Sequence, residues 1–507
     1  VTDALDWLAP LVSLDRLAWL DPLAWLVVLP LGWATLAFVL GSGRGAWAAL
    51  AGVSLQLWLA VELAGTILAD GATPPVGASE MAAHHAVGGW GAPLGIDLAA
   101  DGLSAAMLIL TQMVALPLAV YARAYFKAGD PAGAWFWPLM GFLIAGLNAL
   151  FVSADLFNLY VTLELVGLAS VGIVAAGGGA QQLAAALRYL FVSLVGSGAY
   201  LLGVALIYGA YGTVSIATLT PLIAAEAPRL VWLAAGLMLV GLLLKTALFP
   251  FHFWLPPAHG SAPAPVSALL SALVVKASFY LILRLWIGPL EPLLPAAAAW
   301  LAALLGALAI FWGSYRAIRA VKLKRLIAYS TVAQLGYLFL IFPLLAQPAA
   351  LQAGVMQVFA HGLAKAGMFA AAGVMIRATG QDTVAGLAGA VDRLPVTLFA
   401  FGLAGMTLMG LPPSSGFLAK WQIIEAALAQ GYWIIAVVAL AGGLLAALYV
   451  FRVLRQAFLV SGADVAERGP VPAVPRTLEW SAFVLAAASV LLGLRGVELM
   501  RLLGAGA

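Results

Sequence analysis

The chain has 507 residues, 64% of them hydrophobic and only 9% charged, with a mean hydropathy of +1.06 and a net charge of +3. So little charge cannot cover a water-soluble protein of this length, and the soluble class is excluded. A pI near 9.0 does not point to nucleic acid either, because basic residues in a chain this apolar mark loops on one side of a membrane. Cysteine is absent and histidines number five, which leaves no disulfide framework and little material for a metal or haem site. No cofactor is expected.

Residues 1–21 carry Asp3, Asp6, Asp15 and Asp21 against a single Arg16, the reverse of a basic signal-peptide start, and read as an amphipathic segment on the membrane surface. Apolar runs that can cross about 30 Å of hydrocarbon then follow at 22–41, 46–69, 100–121, 135–153, 157–176, 184–208, 230–255, 266–287, 297–315, 326–345, 351–376, 395–429, 432–451 and 477–500. These fourteen runs define an all-α integral membrane protein. Two are interrupted: Pro250 and Pro256 mark the end of 230–255, and Pro412 and Pro413 divide 395–429. Proline inside a membrane frees backbone groups that protein or water must satisfy, so such breaks line polar paths.

Orientation follows from the basic residues. Of the 24 lysines and arginines, fifteen fall on one side, among them Arg44, Arg123, Lys127 and the cluster Arg316–Arg325. Five fall on the other side: Arg16, Arg229, Arg284, Arg495 and Arg501. The fifteen-charge side is cytoplasmic by the positive-inside rule, which puts both termini on the outer face of a prokaryotic cell membrane. The remaining four, Lys245, Lys276, Lys365 and Lys420, stand inside helices. With one broken run in each part of the chain, they suggest two related halves.

A mid-membrane charge costs at least about 2.5–3.5 kcal/mol and needs a partner or water. Glu164 and Lys245 are natural partners: attraction holds the lysine protonated, and loosening it releases a proton. The bland alternative is a structural ion pair that fixes helix packing. Lys276 is equally deep, and His361 and Lys365 stand four apart on one helical face. Lys420 follows the second break, with Glu425 close enough to bias its charge. So many bases with so few acids cannot all be charged in a low dielectric, which is the condition a proton relay needs. Lys420 as an interfacial anchor is the competing reading.

His252 and His259, in and after the first break, either gate access from the cytoplasmic side or satisfy loose backbone. Glu62, read as deep in the second run, is either a lateral relay acid or a helix–helix hydrogen bond. Asp97 and Asp101 read as caps.

Several segments together resemble one family. They are Pro93-Leu94-Gly95-Ile96 with Asp101-Gly102-Leu103-Ser104, then Asp155-Leu156-Phe157-Asn158-Leu159-Tyr160 leading to Glu164. Lys245 with Phe249-Pro250-Phe251-His252-Phe253-Trp254-Leu255-Pro256 follows, then Ala264-Pro265-Val266-Ser267-Ala268-Leu269-Leu270 leading to Lys276. Last come Lys324-Arg325-Leu326-Ile327-Ala328-Tyr329-Ser330, His361 with Lys365, and Gly410-Leu411-Pro412-Pro413 through Lys420. In order and spacing the chain is similar to the D subunits of Mrp-type multisubunit sodium/proton antiporters, relatives of the antiporter-like subunits of respiratory complex I.

The resemblance implies 14 helices and two inverted five-helix repeats, each with a broken helix. Residues 1–130 would hold the surface segment and helices 1–3, 131–290 the first repeat, 291–460 the second and 461–507 the last helix. It implies a proton relay of Glu164, Lys245, Lys276, His361, Lys365 and Lys420, working inside a larger membrane assembly. Two departures stand out: Lys322 where relatives commonly carry an acid, and Ser271 near the place where the largest-subunit type carries a histidine.

Three functions compete. The first is a proton-translocating antiporter subunit whose partners are other subunits, the lipid bilayer, protons and sodium. The second is a pumping subunit of a redox-driven complex of NADH dehydrogenase or hydrogenase type. The third is a self-sufficient solute carrier, disfavoured because no substrate-binding cluster is apparent.

Overall fold

The computed structural model describes residues 21–69, 82–92, 95–127, 129–459 and 474–504. The expected surface segment, Asp21 apart, lies outside the described residues, as do most of the 70–82 stretch and Pro93 and Leu94. The rest is helical apart from one small hairpin, Ala83–Ala86 (β1) against Asp97–Ala100 (β2).

Helix α1 spans Pro22–Ala69 and contains one non-helical residue, Gly41, at φ 72. A hairpin of two antiparallel arms results, because only glycine takes that backbone without strain. After β2 come α2 (Gly102–Tyr125), α3 (Pro131–Val152), α4 (Leu156–Ala175), α5 (Ala180–Tyr211) and the short α6 (Ile216–Ala225). Asp101, Asp130 and Asp155 cap α2, α3 and α4, each accepting a backbone N–H in the first turn.

The first expected break is present. Helix α7 (Arg229–Thr246) stops at Ala247 in the left-handed region, and the chain resumes as α8 (Leu255–Ser261). Trp254 seals the gap: its indole donates to the Leu244 carbonyl at 3.0 Å and stacks on Tyr189 at 4.3 Å. A second irregularity was not legible in the sequence. The next span opens as α9 (Ala264–Leu269), widens into a π segment over Leu270–Val274, and continues as α10 (Val275–Ile287).

The second half runs α11 (Ala296–Arg319), α12 (Leu323–Phe339), α13 (Pro348–Thr379), α14 (Pro395–Met409), α15 (Ser415–Ala429) and α16 (Trp433–Phe458). It closes with α17 (Arg476–Leu491) and α18 (Gly496–Leu502). The second expected break is the gap between α14 and α15, entered through Gly410 at φ 81. Lys322, a departure from the family pattern, bonds Asp382 at 2.7 Å.

Among the described residues, 11 helices are long and apolar enough to cross a membrane, or 12 with the bent pair of α17 and α18 taken together. The expected fourteen differs at two places. The sequence divides α1 into two runs where one helix is assigned, and α14 and α15, at 15 residues each, are individually shorter than a crossing.

Burial is graded. The central turns of the spans Ala264–Ile287 and Pro348–Thr379 are the most fully buried, whereas α1, α11 and α16 turn apolar faces outward. The two most enclosed spans are those that carry Lys276, His361 and Lys365, so the least solvated part of the molecule holds its densest row of bases.

Candidate functional site

In the first half, Lys245 lies in the last turn of α7, buried, and its ammonium donates to the Leu163 carbonyl at 3.4 Å. Glu164, half-buried on α4, accepts from the Ser197 hydroxyl on α5. The two charges attract, yet no ion pair within 4.0 Å joins them. They meet instead beside Gly167. A β-carbon there would stand 3.5 Å from Lys245 Nζ and 3.7 Å from Glu164 Oε2, with Ser193 Oγ at 2.6 Å. Next to this point is a void of about 10 Å³, lined by Gly167, Tyr189, Ser193, Lys245 and Ser278 among others, the lower limit of room for one water.

The π segment places the next base. Lys276 is fully buried, and its ammonium donates to the Ser271 carbonyl inside the widened turns. A π turn displaces carbonyls from the regular ladder, which makes one available to an ammonium with no acid beside it. The Ser271 hydroxyl bonds Thr331 Oγ1 on α12 at 2.9 Å, so the residue standing near the family's histidine position links the two halves.

His361 and Lys365 share a face of α13, both fully buried. Lys365 donates to the Ile327 carbonyl at 3.0 Å and to the Ser330 hydroxyl, both on α12. Neither ring nitrogen of His361 has a partner among the described residues. Buried polar atoms rarely go unsatisfied, which sets this ring apart from the other buried side chains of the row. Lys276, Lys365 and Lys420 all lie within electrostatic reach of it.

Lys420, on α15 and buried, donates to the Leu408 carbonyl at 2.5 Å and lies 4.4 Å from the centre of the Tyr337 ring.

The two break histidines separate. His259 is buried beside the Ser267 backbone, within electrostatic reach of Lys276, Lys324 and Lys365. It lies two residues from Ser261, which lines a pocket of about 660 Å³ together with Lys127, Asp130, Lys324 and Arg377. His252 instead sits on the periphery, accepting from the Trp312 indole at 3.1 Å.

Both remaining carboxylates are exposed. Glu62 is not deep: contacts of Gly45 with Ala37 and Gln56 with Leu26 set the α1 hairpin register, which carries Glu62 to the level of the helix start at Pro22. Glu425 faces outward on α15, away from Lys420, because a five-residue step does not align two side chains.

Arg284, expected in an outer loop, is buried on α10. It binds both carboxylate oxygens of Asp101 and the Ser104 hydroxyl at 2.8 Å, and its Nε donates to the Tyr280 hydroxyl at 3.0 Å. Tyr280 donates onward to the Phe151 carbonyl at 2.7 Å. Asp101 is thus both the expected cap and half of an ion pair. The signal available in the sequence was the four-residue spacing of Lys276, Tyr280 and Arg284.

The family described as NADH:quinone oxidoreductase/Mrp antiporter, TM, matches residues 153–446. The chain belongs to this family. The matched stretch takes in Glu164, Lys245, Lys276, His361, Lys365 and Lys420 and leaves out Glu62. Among curated relatives, the N subunit of the NADH-quinone oxidoreductase from Desulforudis audaxviator is 35% identical over 401 residues, covering 77% of this chain and 78% of its own length. The D subunit of the Na(+)/H(+) antiporter from Alkalihalophilus pseudofirmus is 32% identical over 373 residues, covering 73% and 75%. A chain of the Mrp complex from Dietzia sp. DQ12-45-1b superposes with a TM-score of 0.85 at 28% identity, covering 95% of this chain and 96% of that one. A chain of respiratory complex I from Thermus thermophilus gives 0.74 at 27% identity, covering 94% and 98%.

Proposed function

We propose that this chain is the proton-translocating D-type subunit of a multisubunit cation/proton antiporter in a prokaryotic cell membrane. The observation that carries the proposal is the row of buried bases: Lys245, Lys276, Lys365 and Lys420 hold backbone carbonyls or hydroxyls rather than carboxylates. An ammonium held only by neutral acceptors in a low dielectric gives up its proton far more readily than one paired with an acid. Protons would pass from Lys245 through Lys276 and the His361–Lys365 face to Lys420. Glu164 would set the charge of Lys245, and His259 would admit protons from the pocket beside Lys324. The two repeats, at 131–290 and 291–460, each contribute one broken helix. The basic loops would face the cytoplasm and both termini the outside.

A D-type subunit would work beside other membrane subunits, as in the assemblies that hold its structural neighbours. The second reading is a pumping subunit of a redox-driven complex, favoured by the 35% identity to a quinone oxidoreductase subunit. The closer superposition on the Mrp chain, 0.85 against 0.74, favours the antiporter. Purification of the native complex tests the choice: small antiporter subunits are expected, and co-purifying iron–sulfur or flavin subunits would overturn it. The translocation reading itself is tested by proton flux in proteoliposomes holding that complex, which an added sodium or potassium gradient is expected to drive.

A further inference from the structure

We propose that Gln334 is a positioning residue for Lys420, acting through the backbone carbonyl of Leu408 that the two share. The proposal rests on the relay role of Lys420 and adds what controls it.

In an unbroken helix the Leu408 carbonyl accepts from the N–H four residues on. That residue is Pro412, which has none. The carbonyl is therefore orphaned at the second break, within the buried interior. Two side chains take it up: Lys420 Nζ at 2.5 Å and Gln334 Nε2, from α12, at 3.1 Å. A carbonyl oxygen has two lone pairs, so it serves both donors at once. Each donor weakens its hold on the other, since both draw on the same oxygen and present positive hydrogens to one point.

The amide is itself tethered. Gln334 Oε1 accepts from Gln357 Nε2 at 3.2 Å, and its amide nitrogen also lies 3.4 Å from the Tyr449 hydroxyl. Gln357 stands one turn before His361 on α13, on the face that carries Lys365. Its own Oε1 is buried without a partner among the described residues. The connection thus runs from the His361 face through Gln357 and Gln334 to the carbonyl that holds Lys420. Amides do not carry protons here; they carry orientation. A change of charge on the His361 face that turns Gln357 pulls Gln334 toward or away from Leu408, and so tightens or loosens the ammonium.

The titratable groups facing Lys420 are few, which is why one carbonyl matters. They are His361 from α13, Tyr337 from α12 and Tyr449 from α16 behind Gln334. From α14 and α17 the nearby polar groups are Thr407 and Ser489, bonded to each other at 2.9 Å. Glu425 on its own helix faces outward, and no carboxylate lies within 4.0 Å of the ammonium among the described residues.

The test is the pH dependence of proton transport by the assembled complex in proteoliposomes. Gln334→Met keeps the side-chain volume and removes the competing donor. The carbonyl then serves Lys420 alone, the ammonium is held more firmly, and release needs a higher pH. The limb on which transport rises with pH is expected to move up by about one pH unit, with about a tenfold lower rate at fixed pH on that limb. Gln357→Met frees the amide to turn and is expected to move the profile the same way by less. It also carries the test if Gln334→Met does not assemble. Lys420→Gln separates the two levels: parental transport in that variant removes the relay role itself. Loss of transport in Lys420→Gln, combined with an unmoved or acid-shifted profile in the Met variants, would overturn the positioning role alone.

Discussion

Lys245 and Glu164 face each other across Gly167 without forming a direct ion pair. Each has a partner of its own, the Leu163 carbonyl for the lysine and the Ser197 hydroxyl for the acid. A side chain on Gly167 would crowd the space beside both charges. A directly paired buried acid and base hold their charges tightly, whereas a pair kept apart by a site for water can be switched.

The first expected outcome concerns this gap. Glu164→Gln and Lys245→Ala should each lower proton flux in proteoliposomes by at least about tenfold while the complex still assembles, since each leaves its partner without its counter-charge. Gly167→Ala should weaken transport as well, because its methyl would meet Ser193 Oγ at 2.6 Å and crowd both charges. Parental flux in all three variants would take the pair out of the mechanism.

The breaks, the deep lysines and the His361–Lys365 face were legible because proline, charge and four-residue spacing leave marks in a sequence. What the lysines hold was not. Ser271, Ser330 and Leu408 serve through carbonyls or hydroxyls that look ordinary in a sequence, and the π turn at Leu270–Val274 has no proline or glycine to announce it. Glu62 misled because apolar neighbours report hydrophobic surroundings along the chain, whereas depth depends on the register of the helix hairpin. Arg284 misled for the opposite reason: its partner, Asp101, stands 183 residues earlier in the chain and is brought to it only by the fold.

That ion pair carries the second expected outcome. Asp101→Ala leaves a buried guanidinium without its counter-charge and should destabilise the protein by about 3–5 kcal/mol. The double replacement Asp101→Leu with Arg284→Met should lose much less, because no charge is then stranded. Thermal unfolding of the three proteins in detergent measures the difference. A double variant as unstable as Asp101→Ala would mean that the cap at Asp101, not the ion pair, is what holds the junction.

Topology supplies the third. Ser314 is buried on α11 and unsuitable for labelling, whereas Val321 is exposed in the basic loop that follows it. Ala225, exposed at the end of α6, belongs to the opposite side under the proposed orientation. Single cysteines at these two positions of a cysteine-free chain should react with a membrane-impermeant maleimide from opposite sides, Val321→Cys from the cytoplasmic one. Reaction of both from the same side would refute the proposed count of crossings between them.

The last expected outcome distinguishes a lysine that anchors from one that releases its proton. Lys420 is held by the Leu408 carbonyl and the Tyr337 ring, which suit a cation of either kind. An anchor needs only a lasting positive charge, and arginine supplies that with donors to spare. A relay needs a cation that can become neutral, and guanidinium keeps its proton at any pH a membrane protein meets. Space is tight, because a β-carbon on Gly410 would already stand 2.7 Å from Lys420 Cδ, so assembly of the variant has to be checked alongside its activity. Lys420→Arg should therefore assemble with its partners and lose most proton translocation, by about tenfold or more. An assembled Lys420→Arg complex that moves protons at the parental rate would show that this position is an anchor, and the path from Lys365 would have to leave the protein elsewhere.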